Sequence, residues 1–200
     1  MSNLRISTLV DGVFAIVMTL LVFDIDTPNI KAPKVDLHLW KELIKLWPKL
    51  ITYIISFIVL GIFWISHHQQ FKFIIRTDRN LLWMNILFLM AVAFIPFSAA
   101  LISQYPASKE AIMIYGINLL TISSILYFHW EYATYRYRLI KNALQKEFIS
   151  KVKHKILLTN AYYILAIALS FYSTYLSLAI FILITLSSLR PNRFDNYGEA

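Results

Sequence analysis

From Ile156 to Leu189 the chain runs for 34 positions without a charged residue. A helix or strand at a water-facing surface carries polar residues at regular intervals, so this run does not belong to a soluble fold. As one helix it would extend about 51 Å at 1.5 Å per residue, against a bilayer hydrocarbon core of about 30 Å. Two shorter spans fit better, about 156–172 and 174–189, with the cluster Ser170-Phe171-Tyr172-Ser173-Thr174-Tyr175 as an interfacial turn. Four further stretches provide the roughly 20 mostly apolar residues that a spanning helix needs: about 6–25, 50–70, 81–103 and 110–133. Pro96 predicts a kink in the third of these. The expected fold class is an all-α integral membrane protein, with six transmembrane helices forming a single domain over residues 1–200.

Composition points the same way. The 200 residues are 58% hydrophobic and 15% charged, whereas a soluble domain carries about 25% charged residues. The absence of cysteine removes thiol nucleophiles, iron–sulfur clusters, Cys-based zinc sites and a disulfide scaffold. A net charge of +8 would suggest nucleic acid in a soluble protein, but in a membrane protein it reflects basic cytoplasmic loops. No nucleic-acid partner is expected. Placing both termini in the cytoplasm puts thirteen of the 19 Lys and Arg residues inside, including Arg5, Lys72, Arg76, Arg79, Lys141, Arg190 and Arg193. Five lysines of the first loop, Lys31 and Lys34 among them, fall outside and weaken that bias. The opening apolar run exceeds a signal-peptide core, and Thr27-Pro28-Asn29 is a poor cleavage site, so the first helix reads as retained. Residues 37–47 predict a short amphipathic helix at the outer interface, with Leu39, Trp40, Leu43, Ile44 and Trp47 on one face. The polar stretch 134–155 reads as a cytoplasmic helical extension of the fourth span.

The chain lacks the motifs of familiar chemistry: no phosphate loop, no Gly-x-Ser-x-Gly elbow, no His-Glu-x-x-His. With four glycines, it also lacks the Thr-Val-Gly-Tyr-Gly filter of ordinary potassium channels. Asp11 is the sharpest feature, because a carboxylate at membrane depth is costly and marks function by default. It either pairs structurally, with Arg5 or a nearby donor, or contacts a permeant ion or proton. Trp64 and His67, three residues apart, share a face of the second span at the depth of Asp11, which predicts a His67–Asp11 hydrogen bond with Trp64 nearby. His67 and the adjacent His68 point about 100° apart and do not easily chelate one metal ion. On the first span, Ile16, Thr19, Leu20 and Phe23 fall in one quadrant, with Asp11 nearly opposite. Such a stripe is more often packing surface than pore.

These residues also carry a resemblance. Arg5, then Leu9-Val10-Asp11-Gly12-Val13-Phe14-Ala15-Ile16, then Thr19-Leu20-Leu21-Val22 is similar to the signature of the lysosomal/endosomal potassium channel family (the transmembrane protein 175 family) and its bacterial relatives. That signature reads Arg-x-x-x-Phe-Ser-Asp, followed by Ala-Ile-x-x-Thr-Leu-Leu. Ser56-Phe57 through Gly61, Trp64, His67 and Phe71 form a second similar block, and Asn85 through Pro96-Phe97-Ser98 a third. The resemblance implies a homotetramer of six-helix subunits without a pore loop, its first helices lining the central path. By position, Ile16 would be the constriction, Leu20 and Phe23 outer apolar rings, and Thr19 a hydroxyl ring assisting potassium. Arg5, Asp11, Trp64 and His67 would support the pore helix. Leu9-Val10 replace the signature's Phe-Ser, and Phe23 stands where Leu is common. The function implied is a potassium-permeable cation channel of a bacterial plasma membrane, with no enzyme activity and no cofactor. It would hold no metal beyond transient potassium near Thr19. Two rivals remain: a proton-coupled transporter relaying through Asp11, His67 and Glu131, and a membrane enzyme using His67 and His68. The first lacks paired Gly/Pro-broken helices, and the second lacks a convergent nucleophile or metal set.

Overall fold

The computed structural model describes residues 3–26, 35–140 and 145–189. Thr27-Pro28-Asn29, Lys31, Lys34, Lys141, Arg190 and Arg193 lie outside these residues. The described chain is all-helical apart from one isolated bridge. Helix α1 (Asn3–Leu20) continues as a 3-10 turn, Leu21–Asp24. It is followed by α2 (Val35–Lys45), α3 (Trp47–Phe73), α4 (Arg79–Ala93), α5 (Ile95–Gln104) and α6 (Lys109–Thr134). A second 3-10 turn, Tyr135–Tyr137, leads on to α7 (Lys146–Leu169) and α8 (Thr174–Ser188). Four segments, Leu4–Asp24, Trp47–Phe73, Arg79–Gln104 and Lys109–Tyr137, are long and apolar enough to cross a membrane, and α8 is a shorter apolar helix.

Local chemistry explains the boundaries. Asp78, Ser108 and Ser173 each accept a backbone N–H of the following turn, at Leu81 (3.0 Å), Ala111 (3.2 Å) and Leu176 (3.5 Å), and so cap α4, α6 and α8. The third span is broken where the sequence predicts. Pro96 sits at the start of α5, where its missing N–H costs least, and the chain kinks at Phe94 between α4 and α5. The long uncharged run divides at Ser170–Ser173 into α7 and α8. The amphipathic segment is a helix, α2, and Leu39, Trp40, Leu43, Ile44 and Trp47 are all left uncovered.

One expectation is overturned. Residues 134–155 do not extend the fourth span. Helix α6 stops at Thr134, and the chain reverses through Arg136 and Tyr137, both left-handed at φ 52° and 53°. From Lys146 onward the residues already belong to α7. The reversal is held from both sides: Ile74 bridges Ile140, and the Ile75 and Arg76 N–H groups donate to the Leu139 carbonyl at 2.8 and 3.3 Å.

Helix α6 is the hub, packing against α3, α4, α5, α7 and α8. Gly116 makes the closest approach possible, since a Cβ there would meet Ile167 Cγ1 at 2.6 Å and the Phe181 ring at 2.8 Å. Helix α1 lies against α3 and α4. Its Ile6, Val10, Phe14, Val17 and Leu21, spaced by three and four, are buried in the subunit core.

Candidate functional site

Because α1 buries that stripe, its opposite side is left uncovered. Ile16 is 60% exposed and Phe23 77%, and Thr19 and Leu20 are exposed beside them. The Thr19 hydroxyl donates to the Ile16 carbonyl at 2.7 Å. Its proton is therefore engaged along the helix, and its oxygen lone pairs remain available as acceptors.

Asp11 and Arg5 are also uncovered. The Asp11 carboxylate accepts the Trp64 indole N–H at 2.8 Å, which ties α1 to α3. His67 is not its hydrogen-bond partner, contrary to expectation. His67 Nε2 instead lies 2.9 Å from Asn85 Oδ1, joining α3 to α4. The reason is packing: His67 is buried between the near-parallel rings of Phe71 and Phe88, at 4.2 and 5.1 Å, so its edge faces α4. No ion pair to Arg5 forms among the described residues. Trp64 also stacks on His68 (5.8 Å). No group of three His, Cys, Asp or Glu suited to a metal occurs among the described residues.

Behind His67 lies a second histidine that sequence reasoning missed. His129 of α6 is 0% exposed and meets the His67 ring edge-on at 6.0 Å. Its signal was present as an ionisable residue inside an apolar run. Gln70, also missed, donates through Nε2 to the Leu126 carbonyl at 3.1 Å and ties α3 to α6. Glu131 pairs with Lys153 of α7 at 2.6 Å. No hydrogen bond links Asp11, His67 and Glu131 into a relay among the described residues.

Outside the spans, Asp78 accepts the Tyr132 hydroxyl at 2.5 Å and lies 3.5 Å from Arg138. Partial burial pushes its carboxyl up. The Tyr132 and Leu81 hydrogen bonds and the Arg138 charge outweigh that and hold it below the ordinary value of 3.8.

A potassium channel of Chamaesiphon minutus is 33% identical over 192 residues, covering 94% of each chain. The chain belongs to the TMEM175 family. The family's sequence model, described as the endosomal/lysosomal potassium channel TMEM175, matches residues 5–96. A potassium channel of Streptomyces collinus is 33% identical over 179 residues, covering 88% of this chain and 85% of that one. The chicken endosomal/lysosomal proton channel TMEM175 is 32% identical over 110 residues, covering 52% of this chain but 22% of its own length. The crystal structure of a lysosomal potassium-selective channel TMEM175 homolog from Chamaesiphon minutus superposes with a TM-score of 0.81 at 29% identity, covering 99% of this chain and 98% of that one. TMEM175 proteins are ion channels rather than enzymes, and this member is a multi-pass membrane protein. Where the TMEM175 signature has Ser, Val10 is buried in the core. Where it commonly has Leu, Phe23 is left uncovered on the 3-10 turn that continues α1.

Proposed function

We propose that the chain is one subunit of a homotetrameric, potassium-permeable channel in a bacterial plasma membrane. Each subunit is a single domain of six spans without a pore loop, with both termini in the cytoplasm. The α1 helices surround the path. Ile16 forms its narrowest ring, Leu20 and Phe23 form outer rings, and Thr19 supplies hydroxyl oxygens to a partly dehydrated potassium ion. Asp11 and Trp64 hold α1 to α3, His67 fixes the α3–α4 packing against which α1 lies, and Arg5 completes the support from a neighbouring subunit. The observation that carries this reading is the two-sidedness of α1: one stripe fills the subunit core, and the stripe with Thr19 is left uncovered. An uncovered Asp11 supports it, because a carboxylate facing lipid is costly and a neighbouring subunit removes that cost. The names of the bacterial relatives support potassium as the permeant ion.

The test is reversal potential in planar bilayers, with size-exclusion profiles as the folding control. Ile16→Asn wets the narrowest ring in every subunit, so cation flux rises severalfold and sodium is admitted more readily. Thr19→Ala lowers potassium preference over sodium and leaves the oligomer intact. A well-folded Ile16→Asn protein with the parent's conductance and selectivity would sink the pore assignment.

A further inference from the structure

A cleft of about 480 Å³ opens between α3, α6, α7 and α8, within the range of about 300–1,000 Å³ typical of small-molecule sites. It is two-ended. On α3 its lining runs from Ile62 to Phe73, which at 1.5 Å per residue is about 16 Å. That is close to half of a hydrocarbon core of about 30 Å, the depth of one leaflet. The end near Lys72 lies where α3 finishes and α7 begins, since Phe73 and Phe148 meet edge-to-face at 5.2 Å. Toward the other end the walls are mostly apolar, with Ile62, Phe63 and Tyr163.

The charged lining is cationic: Lys72 and Lys155 contribute, and no Asp or Glu does. Gln70 is buried in the wall, with its Nε2 spent on the Leu126 carbonyl and its Oε1 without a partner. A buried amide oxygen left unpaired is costly and calls for a donor. The occupant that meets these conditions has a negative charge and a hydroxyl donor at one end and a chain about one leaflet long at the other. We propose that the cleft binds an anionic glycerophospholipid, with its phosphate at Lys72 and Lys155, a headgroup hydroxyl donating to Gln70, and one acyl chain along the apolar walls. The cleft also reaches Trp64, the residue that holds Asp11, so an occupying lipid braces the anchor of α1. The proposal does not depend on which ion the protein conducts.

The experiment is native mass spectrometry of delipidated, detergent-purified protein titrated with phosphatidylglycerol, phosphatidylcholine or glycerol phosphate. Phosphatidylglycerol is expected to be retained best, and the Lys72→Gln/Lys155→Gln double variant to lose about tenfold of that affinity, the effect of two lysines on an anionic headgroup. Phosphatidylcholine retention stays unchanged in that variant, and glycerol phosphate does not bind. Thr159→Trp, which fills the cleft, excludes the lipid while the helices stay folded by circular dichroism. Val152→Trp gives the same reading if Thr159→Trp does not fold. Equal retention of the two lipids, or unchanged phosphatidylglycerol binding in the double variant, overturns the proposal. Tight glycerol phosphate binding, which needs no acyl chain, also overturns it. So does a tryptophan variant that folds but dissociates the oligomer, because a second copy then fills the cleft.

Discussion

His67 is a junction rather than a ligand. One ring holds α3 to α4 through Asn85 and fills the space between Phe71 and Phe88. Replacing it with alanine leaves a cavity and an unpaired amide together. His67→Ala is therefore expected to destabilise the folded protein by about 2–4 kcal/mol, seen as a lower midpoint in thermal unfolding, with unchanged ion preference in whatever protein survives. Asp11 is separable from it. Asp11→Asn keeps an oxygen for the Trp64 indole and removes the charge, whereas Asp11→Ala removes both. If the hydrogen bond positions α1, Asn retains assembly and flux and Ala loses them. Normal oligomers with reversed ion preference in either variant would mean that Asp11 touches the ion. The sequence brought Asp11, Trp64 and His67 to one depth, because helix spacing fixes depth. It did not give their pairing, which depends on how α3 rotates against α1 and α4. His129 was hidden for the same reason, since its neighbours come from two other helices.

Four of the six expected spans, and the division of the uncharged run at Ser170–Ser173, were readable because hydropathy and helix length together leave few ways to cross a bilayer. The reversal after α6 was not. Arg136 and Tyr137 adopt left-handed backbone without glycine, a conformation such residues seldom choose unaided. It exists because the contacts on both sides impose it, including Ile74 with Ile140 and Asp78 with Tyr132 and Arg138. That clasp is pH-sensitive. A carboxylate whose folded pKa lies below its unfolded value stabilises the fold above the unfolded value, and this contribution is lost as pH falls through the folded one. Wild-type protein is thus expected to lose more thermal stability than Asp78→Asn between about pH 5 and pH 3, with the two converging at the acid end. A constant difference across that window would show that the Asp78 charge contributes nothing to the clasp.

For the whole molecule, the surface is dominated by apolar side chains on nearly every helix, as a chain solvated by lipid and by its own copies requires. The periodicity of α1 put Ile16, Thr19, Leu20 and Phe23 together and all four are uncovered, but Asp11, expected nearly opposite them, is uncovered too, and periodicity is silent about what covers an outward face. The break at Phe94 has a further consequence, in the currency of bilayer thickness. Arg79–Gln104 is a 26-residue segment, about 39 Å if straight, and so overlong for a core of about 30 Å. A continuous helix would answer that mismatch by tilting as a unit, dragging its neighbours with it. Divided at Pro96, this segment takes up the excess as an angle between α4 and α5. Transfer from thin to thick bilayers should then change the angle between α4 and α5, a difference readable by solid-state NMR in oriented membranes. Equal rotation of both halves would mean the bend is rigid. With a bend that yields, the protein tolerates membranes of differing thickness without passing the strain on to α1.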